Sequence, residues 1–404
     1  MVGILSLLLL VLIGVETSYL WLFALASILT RSFTGDTAAG KRFAIAIPAH
    51  DEAAVIGKTV STLRKLDYPQ ALYDVFVVAD HCTDRTAELA RAQGAICYER
   101  YEEPKRSKGA ALAWLLQRIL TSEISYDAVV IFDADTQVDT GFLRAMDAHL
   151  SAGGQAIQGR HCISNPHVGW FAALTWSMFM VDNRFQNQGR SNLGLSAKLM
   201  GDSICFKADL LKHMGWSTHG LTEDYEFRMK LLLEGVRIRY EPAAVAYGEA
   251  PATWSAARVQ RYRWLRGAHE ASRRYALMML REGLRRRDLA LLDGAAQSLL
   301  PSYSTLTLVS VVGLIANLAV GAAVAPGLIY GWLGLVAVLG VYPFFGLALE
   351  RAPLLAYLVI LSGPVFIVWR TWLSLASRFG GKEITWVRTE HGATTRASVD
   401  GNNR

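Results

Sequence analysis

Hydrophobic positions along this chain follow two patterns. Over residues 2–29 they are continuous, interrupted by a single charge, Glu16. At about 1.5 Å of rise per residue such a run crosses a hydrocarbon layer of about 30 Å, so one transmembrane helix is predicted over residues 1–30. Ala24-Leu25-Ala26 mimics a signal-peptidase site, but no basic segment precedes the run and the run is too long for a cleaved leader. Continuity returns over residues 304–324, 327–349 and 352–369, broken by Ala325-Pro326 and by Glu350-Arg351-Ala352-Pro353. A C-terminal membrane region of two or three helices is therefore predicted over 304–376. Its last segment contains Gly363-Pro364 and is the weakest as a span.

Between these ends the apolar runs are short and alternate in kind. Residues 43–48, 74–79, 96–98 and 127–132 read as strands; 52–66, 85–93 and 108–120 read as helices, the second closed by Gly94. Strands alternating with helices predict an α/β fold, a mostly parallel sheet with helices on both faces. In such sheets ligands gather at the carboxyl ends of the strands. The predicted division is a catalytic domain over 40–270, interfacial amphipathic helices over 271–303, and a basic tail over 377–404.

Charge adds an orientation. Arg31, Lys41 and Arg42 follow the first span, and Arg281, Arg285, Arg286 and Arg287 approach the second, which places the domain on the cytoplasmic face of the cell membrane. Attraction to anionic lipid accounts for the net charge of +6 more simply than a nucleic-acid partner does. The basic tail (Arg378, Lys382, Arg388) belongs on the same side, which conflicts with three full C-terminal crossings. Either one segment is re-entrant or interfacial, or the tail departs from the rule. The four cysteines stand in no metal-ligand spacing and read as reduced structural thiols.

Two strand ends carry clustered acids. One apolar run delivers Asp80, and Val129-Val130-Ile131-Phe132 delivers Asp133 and Asp135. On an extended segment residues two apart share a face, so this pair is expected to converge on one hard cation. Taken alone, acids at strand ends are commonly turn formers. Lys108-Gly109 opens a helix whose backbone N–H groups and lysine favour an anion such as a diphosphate. Further on, Thr222 reads as the N-cap of a helix with Glu223 and Asp224 in its first turn, where the helix dipole alone would favour acids. Gln260 and Arg263 lie one turn apart on another helix with Trp264 adjacent; an arginine fork suits a diphosphate and an indole face suits a sugar. Arginine and tryptophan also belong at a membrane interface, and spacing alone leaves both readings open.

In order along the chain, Pro48-Ala49-His50-Asp51-Glu52, Val78-Ala79-Asp80, Lys108-Gly109, Asp133-Ala134-Asp135, Thr222-Glu223-Asp224, Gln260-x-x-Arg263-Trp264 and Trp386-Val387-Arg388-Thr389-Glu390 resemble the membrane-bound inverting glycosyltransferases of family 2. That family includes cellulose, chitin, hyaluronan and poly-N-acetylglucosamine synthases. The resemblance covers residues 43–270 and the tail, and implies a GT-A-type nucleotide-sugar transferase domain. It implies that Asp80, Lys108 and the Pro48 to Glu52 turn line the nucleotide pocket, and that Asp133 and Asp135 hold a Mg²⁺ or Mn²⁺ on the donor diphosphate. It further implies that Asp224, with Glu223, supplies the general base, and that Gln260, Arg263 and Trp264 steady the leaving diphosphate and the acceptor. The implied partners are a UDP-type sugar donor, a saccharide or lipid acceptor, and membrane lipids. Asp51 stands where the family more often has Asn, and Gly201-Asp202-Ser203 replaces its acceptor loop with other residues. Single-sugar transfer to a lipid is the alternative to polymer synthesis. Asp133-Ala134-Asp135-Thr136 also fits the D-x-D-x-T loop of haloacid-dehalogenase-type phosphatases, and a non-catalytic binding module is a third reading.

Overall fold

The computed structural model describes residues 2–32, 40–102, 107–216, 222–321 and 326–379. Eight strands form one sheet: β1 (Phe43–Ala49), β2 (Tyr73–Asp80), β3 (Ile96–Arg100), β4 (Ala128–Ile131), β5 (Gln137–Val138), β6 (Ala156–Ile163), β7 (Ile204–Lys207) and β8 (Ile238–Gly248). Their order is β3-β2-β1-β4-β7-β6-β8-β5. The predicted parallel sheet is the half from β3 to β4, where every pairing is parallel. The other half is mixed, because β7 runs antiparallel to both its neighbours while β6 and β8 pair in parallel. That inversion matters for placement: it brings the start of β7 to the same edge as the ends of β1, β2, β4 and β6.

The central strands are apolar on both faces, as a sheet covered twice requires. Alternate residues divide between two cores. Ile45, Ile47, Val75, Val77 and Val130 pack on one side with Ile56 and Val60 of the helix Ile56–Leu63 and Phe142 and Met146 of the helix Phe142–Ser151. Ala46, Phe76, Val78, Val129 and Ile131 pack on the other with Leu112 and Leu115 of the helix Lys108–Leu120 and Phe227 and Leu231 of the helix Glu223–Leu233. The expected helix over 52–66 begins later, at Ile56, since residues 50–55 form turns at the end of β1.

Among the described residues, three helices are long and apolar enough to cross a membrane: Gly3–Ala26, Tyr303–Val320 and Pro326–Leu349. The segment expected at 352–369 is a pair of helices, Leu354–Ile360 and Gly363–Phe379, bent by 56° near Gly363-Pro364. Both ends of its second helix touch the catalytic domain. The Trp170 indole donates to Ser362 Oγ at 2.6 Å, and Ser377 Oγ lies 3.2 Å from His269 Nδ1. Trp369 packs on Trp254 with ring centroids 4.5 Å apart. The bent pair thus packs against the domain, and its 56° bend fits either a broken span or a re-entrant element.

The first apolar helix is joined to the domain by buried polar contacts. The helix Trp170–Asp182 continues as a π-helical segment, Asn183–Gly189, into the turn Arg190–Asn192. A Cβ on Gly189 would lie 2.2 Å from the Phe23 carbonyl oxygen, so the two backbones meet where only glycine fits. Tyr19 donates to Asp293 Oδ1 at 2.6 Å, the Arg190 guanidinium pairs with the same carboxylate at 3.0 Å, and it lies 3.9 Å over the Phe23 ring. Asp293 belongs to the helix Leu289–Leu299, within the stretch expected to be interfacial. Before it, Trp254–Arg286 is one unbroken helix of 33 residues, and the predicted boundary at residue 270 lies inside it.

Candidate active site

The polar edge of the sheet collects residues from five strands. At the end of β1, Asp51 takes a left-handed φ of 54°, and at the end of β2 His81 takes one of 51°. Such conformations cost free energy for residues other than glycine and cluster where a site imposes them. Asp51 accepts from the Thr83 N–H at 2.6 Å, and His50 Nδ1 lies 2.7 Å from the Asp80 carbonyl oxygen, tying the two loops together. Glu52 is buried, and its N–H donates to Thr86 Oγ1 at 2.7 Å. Pro48 pairs in register with Val78, two residues before Asp80. Asp80 itself is buried, with one carboxylate oxygen held by Arg100, its cross-strand neighbour on β3.

The aspartate pair after β4 is not extended. β4 ends at Ile131, and Ala134 and Asp135 form a turn, so the expected convergence by strand periodicity does not apply. A second aspartate holds the turn instead. Asp202, at the mouth of β7, accepts from Thr136 Oγ1 at 2.8 Å and from the Asp133 N–H at 3.3 Å. His161, near the end of β6, lies 3.1 Å from the same carboxylate. Burial pulls His161 down, but Asp202, Asp133 and Asp135 outweigh it and raise its pKa; the pairing also lowers that of Asp202 against the upward pull of burial. A Cβ on Gly248 would meet His161 Cε1 at 2.8 Å, which fixes where the ring stands.

Asp133 is ion-paired with Lys108, whose Nζ also donates to the Gly201 carbonyl at 2.7 Å and lies 3.9 Å from Glu223 Oε1. Ser107 caps the helix that Lys108 opens, its Oγ accepting from the Ala110 N–H at 3.0 Å. Burial acts to lower the Lys108 pKa, yet Asp133 and Glu223 raise it on balance, so the ammonium stays charged. Asp133 is moved up by burial with Lys108 opposing. Asp224 closes the group. A Cβ on Gly201, where φ is +79°, would lie 3.5 Å from Asp224 Oδ2 and 4.0 Å from Lys108 Nζ. Burial first, and then the Glu223 charge, push Asp224 up to about 7, with Lys108 pulling the other way.

Thr222 occupies the N-cap position, but its hydroxyl makes no capping bond. It faces Gly267 instead, where a Cβ would lie 2.5 Å from Thr222 Oγ1. That close approach seats the long helix Trp254–Arg286 on the acid-bearing one. Gln260, Arg263 and Trp264 lie one and two turns before Gly267 on the same helical face. Arg261, between them, points elsewhere. It is buried among Phe171, Trp264 and Phe366 and donates to Thr175 Oγ1 at 3.2 Å.

The structure therefore gathers Lys108, Asp133, Glu223 and Asp224 at one spot, with Asp80 and the Pro48 to Glu52 turn along the same edge. Sequence reasoning placed Asp202 in the loop at the acceptor-end position without giving it a role of its own, and missed His161 and Arg100. A lone histidine and single charges on β3 and before β7 carry no spacing signal; they become legible only through pairing of strands distant in sequence. The tail motif Trp386-Val387-Arg388-Thr389-Glu390 lies outside the described residues. Among the described residues, the set of three possible metal ligands within 4.8 Å of one another is His50, Asp51 and Cys82, a set that includes neither Asp133 nor Asp135.

Comparison with known proteins identifies the fold and the family. The chain is 30% identical over 250 residues to a beta-monoglucosyldiacylglycerol synthase of Synechocystis sp., an alignment covering 59% of this chain and 50% of that protein. It is 27% identical over 229 residues to a poly-beta-1,6-N-acetyl-D-glucosamine synthase of Staphylococcus epidermidis, covering 55% and 54%. The chain thus matches about half the length of these relatives. A mannosyltransferase from Pyrobaculum calidifontis, solved in complex with GDP-Man and Mn²⁺, shares the fold with a TM-score of 0.61 at 17% identity, over 94% of this chain and 99% of that one. Residues 40–267, more than half of the chain, match the family described as glycosyltransferase like family 2, and the chain belongs to that family of glycosyltransferases.

Proposed function

We propose that the protein transfers a sugar from a nucleoside-diphosphate donor to an acceptor hydroxyl at a membrane surface, with inversion at the anomeric carbon. The observation that carries this reading is the junction of Asp224 with the Lys108, Asp133 and Glu223 cluster. It places a carboxylate poised near neutrality beside a charged lysine suited to a diphosphate. Asp80 and the Pro48 to Glu52 turn form the nucleotide wall. Asp133 and Asp135 offer oxygen ligands, the donor set that suits Mg²⁺ or Mn²⁺, and His161 stands beside both. Bound there, such an ion supplies positive charge against the departing diphosphate.

The chain's own groups do the rest. Asp224 takes the acceptor proton as the hydroxyl attacks, since an unionised alcohol is a weak nucleophile. Lys108 and Arg263 meet the charge that builds on the leaving diphosphate. Trp264 offers its face to the acceptor sugar or headgroup.

A lipid acceptor is favoured by one feature. The helix bearing Gln260, Arg263 and Trp264 also packs through Arg261 on Phe366 of the bent pair, so the acceptor side of the pocket adjoins the membrane elements. The test is a donor screen by nucleoside-diphosphate release in membranes carrying wild-type or Asp224→Asn protein, with mass analysis of the product. Release from one sugar nucleotide, abolished in Asp224→Asn, with a single sugar on a lipid, is the expected result. A soluble polymer would sink the lipid reading, and equal release from both proteins would remove Asp224 as the base.

A further inference from the structure

A second polar site lies on the membrane side of the domain, apart from the carboxylate cluster. It is a cavity of about 200 Å³ where the first and third apolar helices end, lined by Thr30 beyond Ala26 and by Glu350 and Arg351 beyond Leu349. Arg160 reaches it from β6, and because neighbours on a strand face opposite ways, it points away from His161 and the catalytic edge. Arg184 reaches it from the π-helical segment. Such segments are rare and recur at functional sites.

The charges here do not balance. Arg160, Arg184 and Arg351 share the lining with one acid, Glu350, which pairs with both Arg160 and Arg184 and leaves two positive charges over. Arg184 is 7% exposed, and its Nε is buried without a hydrogen-bond partner among the described residues. Burial depresses its pKa in spite of Glu350. Arg351 is held in a left-handed conformation, φ 50°, directly after the last turn of its helix. Tyr240 adds a phenol to the wall. An excess of guanidinium groups lining a cavity at the level where two apolar helices end matches a phosphate group, which accepts forked donors at full charge.

We propose that this cavity binds the phosphate of an anionic membrane lipid, as a site separate from donor and acceptor. The proposal rests on the reading that the apolar helices lie in a bilayer, and flotation of the full chain with phosphatidylcholine vesicles tests that reading separately. The site is tested on the purified full-length protein in detergent by thermal unfolding, titrating short-chain phosphatidylglycerol, short-chain phosphatidylcholine and inorganic phosphate. Phosphatidylglycerol is expected to give a saturable rise in melting temperature that the other two do not reproduce. Arg351→Gln, at an exposed position, weakens the apparent affinity about tenfold, in line with loss of a charged hydrogen bond, and Arg184→Gln weakens it at least as much where that variant folds. Equal shifts with both lipids, or an Arg351→Gln titration identical to wild type, overturn the proposal. A full shift with inorganic phosphate alone overturns the lipid as the source of the anion.

Discussion

At the scale of single residues, the position of Asp224 makes a testable pair of claims. As a base it must be ionised, so with its pKa pushed up to about 7, turnover is expected to rise as pH passes through about 7 and to be lost below it. Asp224→Asn should lower kcat by about a thousandfold while donor affinity survives, measured by nucleoside-diphosphate release and by donor titration. The stability sign runs the other way. A carboxylate raised in the folded state favours the fold while protonated, and that contribution disappears as pH rises from the unfolded value through about 7. Asp224→Asn should therefore melt above wild type at pH 8 and match it in acid. Asp202 yields a further outcome: Asp202→Asn removes the acceptor that holds Thr136 and faces His161, and should raise the Mn²⁺ concentration needed for half-maximal release about tenfold or more. Asp133, Asp135 and Asp224 were legible in the sequence because they sit where apolar runs stop and a helix starts. Asp202 and His161 were not, because their meaning depends on β6 and β7 pairing in space.

At the scale of elements, the alternation of strands and helices in the first half of the domain was readable because its central strands are apolar on both faces and most of its turns carry Gly, Asp or Pro. The reversal of β7 was not, since a strand of four residues, three of them buried, carries no sign of direction. Nor was the π-helical segment Asn183–Gly189, since no residue pattern in it marks a π-helix apart from an α-helix. That segment is expected to be intolerant at one position. Gly189→Ala drives a methyl into the Phe23 backbone, and an overpacked contact of this kind costs about 1–3 kcal/mol. The measurement is the melting temperature of the detergent-purified protein; an unchanged value would show that the first helix is free to move off the domain.

At the scale of the whole molecule, the unresolved choice in the sequence was between a third C-terminal crossing and an interfacial segment. The contacts of Trp170 with Ser362 and of His269 with Ser377 hold the bent pair against the domain, and both a broken span and a re-entrant element fit its bend. With Tyr303–Val320 and Pro326–Leu349 crossing as a pair, the end of the bent pair returns to the side of the catalytic domain, where its basic residues belong. Single cysteines placed at Arg287, Arg351 and Arg378 should label from one face of sealed vesicles, and one at Gly327 from the other. Labelling of Arg378→Cys with Gly327→Cys would establish a third crossing instead.

The buried contact between Tyr19 and Asp293 also constrains the order of events during synthesis. Its partners are separated by 274 residues, so at about 5–20 residues per second the first helix leaves the ribosome roughly 10 seconds to a minute before its acid partner exists. Through that interval the Tyr19 hydroxyl lacks the Asp293 carboxylate that accepts its hydrogen bond in the folded chain. The helix Val2–Ala26 is therefore made well before the contact that joins it to the domain, and that contact waits for synthesis through at least Asp293.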